Sequence, residues 1–151
     1  MTDQETRAGA EKEFALGIAA LVIEDTLTAL IHLERALKLD DHPGWYSCLG
    51  YCIARERGQN RKGLEFCLRS LAAEPDHPAH YYYLGRVHLL SGDKMEALRV
   101  LREGMANGGS PEIVRLLDTL GSRSPLAFPS LSRTNPLNRY LGLLLKRLGL
   151  R

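Results

Sequence analysis

One stretch of this chain is written twice. Asp41-His42-Pro43-x-x-Tyr46-x-x-Leu49-Gly50 returns as Asp76-His77-Pro78-x-x-Tyr81-x-x-Leu84-Gly85, six identities in register at a spacing of 35. A period of about 20–50 residues marks stacked supersecondary units, each too small to bury its apolar face alone. Such units bury that face against their neighbours and leave a curved surface open to a partner. The duplication therefore points away from a catalytic pocket and towards a binding module.

The likeness extends beyond the signature. Leu84-Gly85 is followed by Gly92, Ala97-Leu98, Gly104-Met105 and Gly108-Gly109, and Leu49-Gly50 by Gly58, Gly63-Leu64, Ser70-Leu71 and Pro75. One extra residue in the turn Arg57-Gly58-Gln59-Asn60 accounts for a spacing of 35 rather than 34. Upstream, Leu16-Gly17, Ala29-Leu30 and Ala36-Leu37 fill the same positions in a more degenerate copy. Gly17, Gly50 and Gly85 fall inside predicted helices, where glycine costs about 1 kcal/mol relative to alanine. A cost repeated at one position signals close helix packing, with Ala29, Gly63 and Ala97 as the natural counterparts. Leu16, Leu49, Leu84, Leu30, Leu64 and Leu98 read as the apolar stripe that seals each hairpin. Gly58 and Gly92 suit left-handed helix ends, and Asp93 and Thr26 suit helix N-caps.

This layout resembles the tetratricopeptide repeat, with its W-x-x-L-G-x-x-Y signature, a small residue in the second helix and a proline near the end. The resemblance covers roughly residues 10–111. It implies an all-α fold, a right-handed superhelical solenoid of three helix-turn-helix repeats with a capping helix and a C-terminal helix. The expected organisation is a polar N-terminal segment (1–9), repeats over 10–42, 43–77 and 78–111, a capping helix (112–121), a Pro-rich strap (122–136) and a basic apolar helix (137–151).

In that family the first helix of each repeat lines a concave groove. Ligand contacts come mostly from the position two before Leu-Gly, and from one and four or five residues after its Gly. On this chain those positions are Phe14, Ile18, Leu21 and Val22; Ser47, Tyr51, Ala54 and Arg55; and Tyr82, Arg86, Leu89 and Leu90. The spacing sets each group on one helical face. Phe14, Tyr51, Tyr82 and Arg86 are also residue types enriched at binding hot spots. The expectation is an apolar-aromatic groove with one fixed cation, taking a peptide or a partner helix. The alternative is that Phe14, Ile18 and Leu21 only pack beneath the N-terminal segment or the tail. Chaperone-tail binders of the family grip a carboxylate with Lys and Asn at the groove positions; here only Arg86 conforms, which argues against a two-carboxylate clamp. In size the chain is also similar to the specialised chaperones of bacterial secretion systems, a likeness of architecture with no shared motif.

Charge divides the chain. Residues 1–121 hold 14 Lys and Arg against 18 Asp and Glu, a net −4, whereas residues 122–151 hold six basic residues and no acid. Pro111 is placed to open the helix with Ile113, Leu116, Leu117 and Leu120 on one face. Pro125, Pro129 and Pro136 make the strap extended, yet it carries Leu126, Phe128 and Leu131. In the last helix Leu137, Tyr140, Leu141, Leu144, Leu145 and Leu148 form a docking set, beside Leu143. Burying four of those leucines is worth roughly 6–12 kcal/mol before ordering costs. Three destinations are open: the array itself, a second copy in a homo-oligomer, or an anionic membrane surface. The acidic body would repel nucleic-acid phosphate.

No cofactor, metal or catalytic residue is expected. His32, His42, His77, His80 and His88 and the Cys48-x-x-x-Cys52 pair invite a metal reading, but there is no C-x-x-C, and His42 and His77 recur as helix starts. The sequence has no G-x-S-x-G, no phosphate-loop motif and no dinucleotide fingerprint. No run of 18 apolar residues appears, and the first residues lack the layout of a signal peptide. Three cysteines without an export signal point to reduced thiols and a cytoplasmic setting.

Overall fold

The computed structural model describes residues 2–122 together with residues 146, 147 and 149. Seven α-helices run through them: α1 (Asp3–Val22), α2 (Thr26–Leu39), α3 (Tyr46–Arg57), α4 (Asn60–Ala73), α5 (Pro78–Leu90), α6 (Lys94–Ala106) and α7 (Pro111–Ser122). No strand occurs among the described residues. A 3-10 turn, Pro43–Trp45, leads into α3. Residues 1–114 form one compact unit. In it the helices pair as hairpins, α1 with α2, α3 with α4 and α5 with α6, and the hairpins stack through α2 on α3 and through α3 and α4 on α5. The fold is an all-α array of helical repeats. No helix among the described residues is long and apolar enough to cross a membrane.

The helix ends follow from local chemistry. Thr2 and Glu5 form a reciprocal capping box, so α1 takes in most of the polar lead that the sequence set apart as residues 1–9. His42 and His77, the repeated histidines, each accept a backbone N–H two residues on through Nδ1 (3.0 and 3.3 Å), which starts the segment that follows. The repeated tyrosines close the same corner: Tyr46 donates to Asp41, and Tyr81 to the Pro75 carbonyl at 2.8 Å. Asp93 caps α6 as expected. Thr26 does not cap α2; Asp25 does, accepting from the Thr28 amide at 3.1 Å, while the Thr26 hydroxyl donates to Glu56.

Each hairpin turns through one residue with left-handed backbone. In the second and third hairpins this is Gly58 (φ 66°) and Gly92 (φ 77°); in the first it is Glu24 (φ 59°). The first and third turns share one bonding pattern. Glu24 N bonds Leu21 O and Asp25 N bonds Ala20 O at 3.0 and 2.9 Å; Gly92 N bonds Leu89 O and Asp93 N bonds His88 O at the same distances. These paired bonds satisfy the last carbonyls of α1 and α5.

The in-helix glycines mark close approach, though not always to the expected partner. A Cβ on Gly50 would lie 2.6 Å from the Gly63 carbonyl, and the reverse substitution would meet the Gly50 carbonyl at 2.6 Å. Gly17 and Gly85 are met first by Leu33 (2.9 Å) and Leu101 (2.8 Å), four residues beyond Ala29 and Ala97. The leucine stripe holds in part: Leu30 is buried, and Leu64 and Leu98 are half-buried. Leu49 and Leu84 are 6% and 4% exposed, and Leu16 is 42% exposed.

Candidate functional site

The position two before Leu-Gly is a joint in two of the three repeats. Phe14 stacks on Trp45 with ring centroids 4.6 Å apart and planes within 10°, and His42 stacks on Trp45 at 4.9 Å. Ser47 is buried, and its hydroxyl lies 2.7 Å from Nδ1 of buried His80. Trp45 and His80 occupy the same place, directly before the repeated tyrosine. Each therefore reaches back from one hairpin to the hairpin before it. Phe14 and Ser47, expected to line a groove, join neighbouring repeats, Phe14 through Trp45 and Ser47 through His80.

Around Ser47 the polar groups form a chain. Its amide donates to Ser70 Oγ (2.8 Å), Ser70 donates to the Pro43 carbonyl (2.7 Å), and the Cys67 thiol donates to the Ser47 carbonyl (3.4 Å). His80 Nε2 lies 2.9 Å from Glu74 Oε1. A carboxylate only accepts, so Nε2 carries the proton of the neutral ring and Nδ1 accepts from the Ser47 hydroxyl. Burial holds the His80 pKa below its ordinary value; the Glu74 bond opposes this, and neighbouring His77 adds to it. Glu74 is held below the usual carboxylate range by the His80 hydrogen bond.

Tyr82, at that position in the third repeat, is half-buried beside Arg86. The Arg86 guanidinium lies 4.1 Å from the Tyr51 ring centroid and 5.4 Å from that of Tyr82, donates to the Tyr82 hydroxyl at 3.3 Å, and pairs with Glu24 at 2.9 Å. Tyr83 closes the group, 6.0 Å from Tyr51 and edge-on to Tyr82 at 5.2 Å. Burial raises the Tyr51 and Tyr83 hydroxyls. Burial also works against charge on Arg86, but the Glu24 carboxylate, with Tyr51 and Tyr82, outweighs it and raises the pKa. Of the other expected lining residues, Ile18, Leu89 and Leu90 are half-buried, Leu21 and Ala54 are buried, and Arg55 and Val22 are exposed. Leu137, Tyr140, Leu141, Leu144, Leu145 and Leu148 lie outside the described residues, as do the strap and the start of the last helix.

Among the described residues no group of three or more His, Cys, Asp or Glu could hold a metal ion. Cys48, Cys52 and Cys67 are free and buried, and burial pushes all three thiols up, Cys52 to about 12. They serve as packing rather than as ligands or nucleophiles.

A family model described as tetratricopeptide repeat matches residues 66–99, the end of α4, all of α5 and half of α6. That stretch carries the chain's sequence similarity to the tetratricopeptide-repeat family. Comparison with curated proteins finds no match. Solved structures agree on the fold. The Sgt2 tetratricopeptide domain from Aspergillus fumigatus superposes with a TM-score of 0.59 at 20% identity, covering 86% of this chain and 93% of that one. The TPR2B domain of yeast Sti1, solved in a complex with pHsp70, gives 0.59 at 16% identity over 78% and 99%. PcrH in complex with the chaperone binding region of PopB gives 0.54 at 19% identity over 75% and 92%.

Within this helical array the residues that sequence reasoning missed are Glu24, Trp45, Glu74, His80 and Tyr83. Two signals were present. A ring precedes the repeated tyrosine in both copies, and Glu24 stands where Gly58 and Gly92 stand in the other turns. The arrangement can hold a ligand by aromatic contact and one oriented cation.

Proposed function

We propose that this chain is a non-enzymatic adaptor that holds a peptide or a helix of another protein against the face carrying Tyr82 and Arg86, with buried Tyr51 behind the guanidinium. The observation that supports it is the Arg86 cluster. A guanidinium set against two tyrosine rings has its orientation fixed before a partner arrives, and so loses little freedom on binding. Half-buried Ile18 and Leu89 and exposed Arg55 extend this face in the same reading, with Leu21 buried beneath it. The Sti1 domain was solved in a complex with pHsp70 and PcrH with the chaperone binding region of PopB, which agrees with a protein-derived ligand here.

The test is a double substitution, Tyr82→Ala with Arg86→Ala, compared with wild type in capture from the source cell and then in titration of the captured protein. Loss of binding by at least tenfold with unchanged helicity is the expected result, the size of effect typical of interface hot spots. Equal binding rejects the groove.

A further inference from the structure

Arg86 is already engaged. Its partner, Glu24, lies 62 residues away in the turn of the first hairpin, and the Arg86 Nη2 to Glu24 Oε2 distance is 2.9 Å. The backbone that delivers this carboxylate breaks a local rule. Left-handed backbone favours glycine, because any Cβ crowds the following carbonyl. Gly58 and Gly92 satisfy this in the second and third turns, and Glu24 alone does not, at φ 59°. The first turn makes the same carbonyl-satisfying bonds as the third, so the turn needs the conformation but not the glutamate. What the glutamate adds is a negative charge on the groove cation. The contact is reachable from water: the Glu24 side chain is 59% exposed, while that of Arg86 is 18% exposed.

We propose that Glu24 is an internal competitor for the groove, occupying Arg86 until an acidic segment of the partner replaces it. This rests on the groove reading above and gives it a chemistry. A neutral or basic segment would have to leave the Arg86–Glu24 pair in place, or strip the guanidinium of its counter-charge. A segment carrying a carboxylate exchanges one ion pair for another and gains contact with the half-buried Tyr82 ring besides. The latch thus selects for acidic ligands and lowers the affinity of all of them by the same factor.

The probe is a dye-labelled peptide of six glutamates, titrated into the full chain by fluorescence anisotropy at fixed ionic strength. Glu24→Gly restores the residue of the other two turns, so it removes the latch without straining the turn. It is expected to tighten binding roughly two- to fivefold, the range for loss of an exposed ion pair, with an unchanged or higher melting temperature. Arg86→Gln is expected to abolish binding both alone and together with Glu24→Gly, with thermal melts confirming the fold. Glu65→Gln, an equal charge change at an exposed position on α4, is expected to leave binding as it was. The latch is overturned if Glu24→Gly binds no tighter than wild type, or if Glu65→Gln tightens binding equally. Loss of binding in Arg86→Gln alongside either result leaves the groove standing. Unchanged binding in Arg86→Gln overturns groove and latch together, and no binding by Glu24→Gly overturns the acidic occupant.

Discussion

The joint between the first and second hairpins and the joint between the second and third use the same two positions of the repeat and opposite chemistry. At the first, Phe14, Trp45 and His42 stack as rings over Ala10 and Ala36. At the second, Ser47 and His80 meet through a hydrogen bond, and Glu74 completes the relay. The repeat fixes where neighbouring hairpins touch, and leaves open what holds them. Ring stacking is stabilised by the area it removes from water and does not depend on protonation. A buried relay is stabilising only while every member is paired.

The comparison breaks most visibly at the first joint. Trp45→Ala removes the ring shared by Phe14 and His42, and a loss of about 3–5 kcal/mol is expected in urea unfolding. A smaller loss, about 1–3 kcal/mol, is expected for Ser47→Ala, which leaves His80 Nδ1 buried without its donor. Equal losses at the two joints would mean that the relay carries as much packing as the stack.

The finest distinction is in pH. The folded chain holds the His80 pKa below its ordinary 6.5, so below that pH the unfolded chain binds the proton first. Stability is complete above 6.5 and falls as pH drops through the lower folded value. Glu74, lowered from 4.5, contributes stability present above 4.5 that is lost as pH falls further. The urea midpoint is expected to drop between pH 7 and 5 in wild type, and to drop less in His80→Phe, which turns the relay into a ring contact. An identical slope in both proteins would place the sensitivity elsewhere.

Much of this was legible in the sequence. The duplicated Asp-His-Pro-x-x-Tyr-x-x-Leu-Gly marked the helix starts and the hairpin seal, and Gly50 with Gly63 was paired correctly because both are small at facing positions. Gly17 meets Leu33 before the expected Ala29, whose carbonyl lies at 3.5 Å, and Gly85 meets Leu101 first. A leucine one helical turn beyond the small residue swings into the space a glycine leaves, and spacing alone does not show which side chain will. The groove positions were legible as one helical face, but not as open surface. Helix phase gives the direction of Phe14 and Ser47; only the next hairpin decides that Trp45 and His80 lie over them. Glu24 was hardest to find through Arg86, since a contact across 62 residues leaves no local period. It was easiest to find by aligning the turns, where a glutamate stands among glycines.

The three cysteines all belong to the central hairpin, two on α3 and one on α4, and all are shut away from solvent. Alkylating reagents attack thiolates, and here the thiolate is suppressed as long as the hairpin stays closed. Reaction has to wait for local opening. The rate at which the chain takes up such a reagent is therefore a stopwatch on its middle unit.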